Sequence, residues 1–178
     1  MKVFLKHFVA LFLLTVMFSF AACNDTDDGS YVAPITTYEK IKGDWKLTSV
    51  KQIDEVAKAN SQSPSEMVLT SQFDFSTFTI KLNVDANNEP TDYAVGGNAP
   101  AIFAKAGYWK LAYPFPSTDG AASIIYLYSD AAKTAKIGEL AITATPGATD
   151  VLELKLTRKT KGVAFVSYVY RLSPNVNE

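Results

Sequence analysis

The chain has 178 residues, with 17 basic and 18 acidic side chains, one histidine and one cysteine. A formal charge of −1 and no basic stripe leave nucleic-acid binding without an electrostatic footing. The single histidine, His7, falls in a segment that reads as cleaved, and its loss would remove Ser-His-Asp and Cys-His catalysis and any His-ligated zinc.

Lys2 and Lys6 open the chain with positive charge, and residues 8–22 form an apolar run. As a helix this run is about 22 Å long, short of the ~30 Å hydrocarbon core. Residues 1–22 therefore read as a signal peptide rather than a transmembrane anchor, with Ala21 and Ala22 supplying the small cleavage site. Phe20-Ala21-Ala22-Cys23 resembles the lipobox of bacterial lipoproteins, with Phe where Leu is usual. The resemblance implies that Cys23 receives a diacylglycerol and that the protein is lipid-anchored at the outer membrane. Each buried methylene of such chains contributes about 0.8 kcal/mol to anchoring. Residues 24–29, Asn-Asp-Thr-Asp-Asp-Gly, resemble the acidic signal that sends Bacteroidetes-type lipoproteins to the cell surface. They read equally as a solvated linker, which leaves a periplasm-facing protein as the alternative. Gly29 falls one position early for a calcium loop. Removing Lys2 and Lys6 leaves 15 basic against 18 acidic side chains in the mature chain.

Residues 23–37 are polar, contain Pro34 and read as a tether, so that the domain spans 38–178. Alternation predicts a first strand over 44–53, with Trp45 and Leu47 on one face. Residues 54–60 have the composition of a short helix capped by Asp54, or of a surface loop. Residues 73–75 and 78–84 each alternate, with a change of parity at Ser76-Thr77 that implies a bulge or tight turn. Asp85, Asn87 and Glu89 are spaced like calcium ligands, a spacing that solvated turns also show. Residues 91–101, with Gly96-Gly97 and Pro100, read as a turn or long loop. Strands follow at 108–113, 123–128, 136–145, 151–158 and 163–172. In the segment 151–158, Leu152, Leu154 and Leu156 point inward and Glu153 and Lys155 outward. The sum is an all-β, antiparallel up-and-down barrel of about eight strands.

Gly43-Asp44-Trp45 at the start of the first strand resembles the Gly-x-Trp opening of lipocalins and fatty-acid-binding proteins. The resemblance implies that a basic residue near the last strand, Arg171 or failing that Arg158, packs on Trp45 at one end of the barrel. It also implies a short helical lid after the first strand. The lipobox together with Gly-Asp-Trp looks like the lipocalin-like, mostly uncharacterised lipoproteins of Bacteroidetes.

Tyrosines are the unusual feature. Tyr108, Trp109, Tyr113, Tyr126, Tyr128, Tyr168 and Tyr170 all fall on predicted strands. Facing the lumen they would line a calyx; facing outward together they would form an aromatic patch. The expected function is a surface binding protein for a small apolar molecule or glycan. The alternative is an accessory lipoprotein that binds a partner lipoprotein or transporter in an uptake or envelope complex. No cofactor, metal or catalytic residue is expected. A hydrolase would have to draw on carboxylates such as Asp74, Asp92, Asp119, Asp130 or Glu139, none of which is paired by local motif.

Overall fold

Leucine at every second position of 152–156 is what a strand with one solvated face requires. In the computed structural model, which describes residues 33–176, all three leucines are buried. The elements in chain order are helix α1 (Thr37–Ile41), strand β1 (Gly43–Asp54), helix α2 (Glu55–Ala59), strand β2 (Glu66–Val68) and a 3-10 turn (Phe75–Thr77). Strands β3 (Thr79–Val84), β4 (Pro90–Gly96), β5 (Ala106–Leu111), β6 (Ser123–Tyr128), β7 (Lys136–Ala144), β8 (Leu152–Thr160) and β9 (Val163–Pro174) complete them. Eight strands, β1 and β3 to β9, pair antiparallel with their neighbours, and β1 pairs with β9 to close the barrel. β2 is an added strand beside the far half of β1, with Ile53 opposite Glu66. The fold class read from the sequence is the one observed.

β1 holds the closure together. Its first residues pair with β3, Trp45 lying opposite Ile80, and Trp45 to Asp54 pair with β9. A register shift between Leu47 and Ser49 changes which residues face the lumen. Trp45 and Leu47 face it before the shift, and Val50 after it. Ile53 is buried too, but on the outer side, where α2 covers it.

Three local expectations are corrected. Residues 91–96 form most of β4 rather than a loop; Pro90 is tolerated because it is the strand's first residue. The strand ends at Gly96; the next residue, Gly97, has φ of +86°, and an added Cβ there would lie 2.1 Å from the Thr77 carbonyl oxygen. Residues 73–75 are not a strand. Phe73 and Asp74 have φ of 54° and 57°, and successive turn hydrogen bonds, Phe75 N–H to Gln72 O and Phe78 N–H to Phe75 O, coil the segment. The helix after β1 is present, with the Asp54 carboxylate accepting from Val56 and Ala57 N–H at 3.0 and 2.9 Å. It is not a lid. Ala57 is buried with Ile53 and Val169 on the outside of the barrel, and Glu55 reaches Lys155 (2.7 Å) and Ser167 (2.5 Å) on the outer faces of β8 and β9.

The barrel interior is filled. Trp45, Ile80, Leu82, Tyr93, Trp109, Leu111, Ile125, Leu127, Leu140, Leu154, Tyr170 and Leu172 belong to one continuous buried cluster. Among the described residues, no helix is long and apolar enough to cross a membrane. The signal peptide and Cys23 lie outside the described residues.

Candidate functional site

The two ends of the barrel are finished differently. At the end where β1 begins, α1 acts as a plug. Thr36 and Glu39 form a capping box: Thr36 N–H donates to Glu39 Oε2 at 2.7 Å, and Glu39 N–H to Thr36 Oγ1 at 3.3 Å. This fixes a five-residue helix that local propensity alone would not hold. Its Tyr38 and Ile41 are buried, and the Tyr38 ring meets Trp109 edge to face at 5.9 Å. Both tryptophan N–H groups are satisfied at this end. Trp45 Nε1 donates to Ile41 O and Trp109 Nε1 to Asn83 O, each at 2.8 Å. Burial raises the Tyr38 phenol above its ordinary pKa, with Glu89 adding to the effect.

At the opposite end the lumen is stopped lower down, by aromatic rings. Tyr170 lies 5.1 Å from Phe78, 6.0 Å from Phe103 and 6.4 Å from Phe75. Burial drives the Tyr170 phenol strongly upward, so it is neutral at any physiological pH. Above this layer opens a cavity of about 360 Å³, walled by Gln52, Met67, Leu69, Phe73, Phe75, Pro100, Ile102 and Tyr168. Leu69 and Phe75 are buried in its floor, while Met67 is 53 % and Phe73 68 % exposed at the rim. Gln52 and the Tyr168 phenol are the polar side chains of this wall. The Arg158 guanidinium donates to the Ile102 carbonyl beside it.

The aromatic residues singled out by sequence divide into three groups. Trp109 and Tyr170 face inward and are core. Tyr168 also faces inward, but at the mouth. Tyr108, Tyr126 and Tyr128 face outward, because Trp109, Ile125 and Leu127 take the inner positions of β5 and β6. Tyr108 stands opposite Tyr128 across the two strands. Tyr113 lies past the end of β5, 74 % exposed. A shift in β7 pairing between Leu127 and Tyr128 brings Lys136 onto this outer face, where its Nζ sits 4.0 Å from the Tyr126 ring centroid and 2.7 Å from Glu139 Oε2.

The expected Trp45–Arg171 pair is not formed. Arg171 lies between buried Tyr170 and Leu172, so its side chain projects outward, 3.8 Å from Glu153, while Trp45 is inside. Arg158 stands at the mouth end and does not replace it. Trp45 is held instead by the backbone of α1.

Four of the five candidate carboxylates serve local structure; Asp74, with φ of 57°, makes no side-chain cap. Asp130 accepts from Thr134 and Ala135 N–H, Asp119 from Ser117 Oγ and Ala121 N–H, and Asp92 from Asn83. Hydrogen bonds lower the pKa of all three; Glu139 is lowered chiefly by its bond to Lys136. Asp85 spends one oxygen on the N–H groups of Asn87 and Glu89, the geometry of a solvated turn.

The mouth was not found by sequence reading. Its walls come from β1, from β2 and the segment after it, from the loop before β5, and from β9, which no local pattern joins. Among known proteins, a family described as Domain of unknown function (DUF5004) matches residues 19–173. No curated protein and no solved structure matches the chain.

Proposed function

The chain belongs to the DUF5004 family, and we propose that it is a lipid-anchored binding protein that holds a small apolar molecule in the open mouth of its barrel. The observation that carries this reading is the 360 Å³ cavity at one end of an otherwise filled barrel. Its volume lies in the usual range of small-molecule sites, and apolar walls with few polar groups are typical of them. The ligand is bound across the mouth rather than swallowed by a calyx, because Tyr170, Phe75 and Phe78 close the lumen beneath. The chain enters the barrel at the plugged end, away from the mouth. In this reading Cys23 carries the anchor and the protein faces outward from the outer membrane.

The reading involves no catalysis. Supporting it, Asp92, Asp119, Asp130 and Glu139 are each engaged by neighbouring side chains or turn N–H groups, as structural acceptors are.

Titration with the neutral apolar fluorophore N-phenyl-1-naphthylamine tests the proposal. Saturable binding at one site is expected, weakened about tenfold or more by Met67→Glu and Phe73→Glu, which place charge on the rim. Both residues are exposed, so circular dichroism and melting should stay near wild type. Unsaturable binding, or binding indifferent to both substitutions, would falsify it. The anchor is tested separately: Cys23→Ala should abolish incorporation of labelled palmitate and release the protein from membranes.

A further inference from the structure

We propose that the outer face of β6, with the loop 112–122 beside it, is a binding cleft for a neutral glycan chain. The two depressions that flank this loop have volumes of about 400 and 390 Å³. Tyr113, Phe115 and Tyr126 line the first, together with Ser117, Asp119 and Ser123. Ser117 and Ser123 also line the second, which continues toward Thr145 at the end of β7. An extended molecule lying along the face thus meets aromatic rings first and hydroxyl groups next.

The chemistry of the lining selects the ligand. No lysine or arginine lines either depression; the two that flank Tyr126, Lys110 across the strand pair and Lys136 over its ring, stand outside the lining, and Lys136 is already paired with Glu139. Hydroxyls and a carboxylate interrupt the apolar surface, which makes it a poor seat for an acyl chain. The Tyr126 ring already carries the Lys136 ammonium 4.0 Å from its centroid, so a second ammonium there would be repelled. What remains is a ligand with alternating apolar C–H faces and hydroxyl edges, as a sugar chain has; rings with polar handles suit such a surface. Tyr126 and Tyr128 share the outer face of β6, and Tyr108 stands beside Tyr128, so the platform continues along the barrel beyond the cleft.

The site is built rather than loose. Thr37 N–H donates to Pro114 O at 2.8 Å, tying the loop to α1, and Ala112 N–H donates to Ile124 O at 2.8 Å. Lys136 covers part of the Tyr126 ring and is itself fixed by Glu139. Asp119 stays ionised through its bonds to Ser117 and Ala121, leaving Oδ2 as an acceptor without a partner among the described residues.

The test is calorimetric titration of the full-length protein with cellohexaose, xylohexaose, maltohexaose and mannohexaose. At least one should bind at a single site. Tyr126→Ala and Phe115→Ala should each weaken that binding about fivefold to tenfold, at the upper end of an aromatic contact. Tyr126→Phe should keep most of it, and Met67→Glu at the distant mouth should leave it unchanged. The proposal is overturned if none of the four hexasaccharides binds. It is equally overturned if Tyr126→Ala has no effect on binding, or if Met67→Glu abolishes it. Failure of the naphthylamine titration at the mouth leaves these outcomes unaffected, so the two sites stand or fall separately.

Discussion

The plugged end and the mouth of this barrel are made of the same kinds of residue, large aromatics and aliphatics, yet they behave as opposites. At the plugged end Tyr38, Ile41, Trp45 and Trp109 are all buried, and both indole N–H groups end on backbone carbonyls. At the mouth, Phe73 and Met67 keep more than half of their surface in water. The difference lies in what covers them. A capped helix lies across one end, while the helix that could have covered the other is drawn to the outer wall by Glu55, Lys155 and Ser167. Apolar surface that folding leaves uncovered is available to a ligand; apolar surface under a plug contributes only to stability.

That contrast can be broken by substitution, beginning with the largest effect. Trp45→Ala should cost about 3–5 kcal/mol in urea unfolding, as for other buried large aromatics, and Trp109→Ala should match it. A loss under 1 kcal/mol would mean that the plug is not part of the core. Thr36→Ala removes the acceptor for Glu39 N–H and should cost about 1 kcal/mol. It should also quicken hydrogen exchange in α1 before any other element; uniform exchange would contradict a separately capped plug.

Glu55→Gln, near the mouth, should cost a similar or smaller amount, about 1 kcal/mol, and its effect should depend on pH. The folded pKa of Glu55 lies below its ordinary 4.5, first because Lys155 and then Ser167 bond to it. Its contribution is therefore complete above the unfolded pKa and is lost as pH falls through the folded one. Wild type and variant should differ at pH 7 and converge in acid; a constant gap would show that the charge is irrelevant. Smallest of all, Phe73→Ser should change stability by no more than about 0.5 kcal/mol while weakening the naphthylamine probe. A large loss of stability there would erase the distinction between the two ends.

Much of the barrel was legible in the sequence because its strands are half-solvated, and a period of two survives in such strands. The strands read over 136–145, 151–158 and 163–172 match β7, β8 and β9 to within two residues at each end. β4 hid behind Pro90 and Gly96-Gly97, which normally punctuate loops but here sit at the strand's two ends. Helix α1 carried a readable signal in Thr36-x-x-Glu39, outweighed by the polar tether before it. The Trp45–Arg171 pair came from resemblance, although alternation already placed Arg171 outside, between Tyr170 and Leu172. For the tyrosines, alternation limited the choice without making it. Ile125 and Leu127 win the inner positions of β6 because burying them leaves no hydroxyl to satisfy. On β9 the choice is reversed, since α2 gives Ser167 and Val169 a covered outer surface and Tyr168 and Tyr170 go inside. That outcome depends on a contact across more than a hundred residues.

The pairing of β1 with β9 has a consequence for how the molecule is made. Ile53 lies opposite Ser167 and Trp45 opposite Pro174, so the first strand to leave the ribosome waits for the last. Contacts of such sequence separation slow folding, and the unpaired edge of β1 is exposed throughout that wait. Lys46 and Lys51 on that strand, and the register shift after Leu47, are features that discourage a second copy from pairing there. Barrel closure should accordingly be the final event of folding, and destabilising β9 should favour aggregation through β1 before it disturbs the rest of the meander.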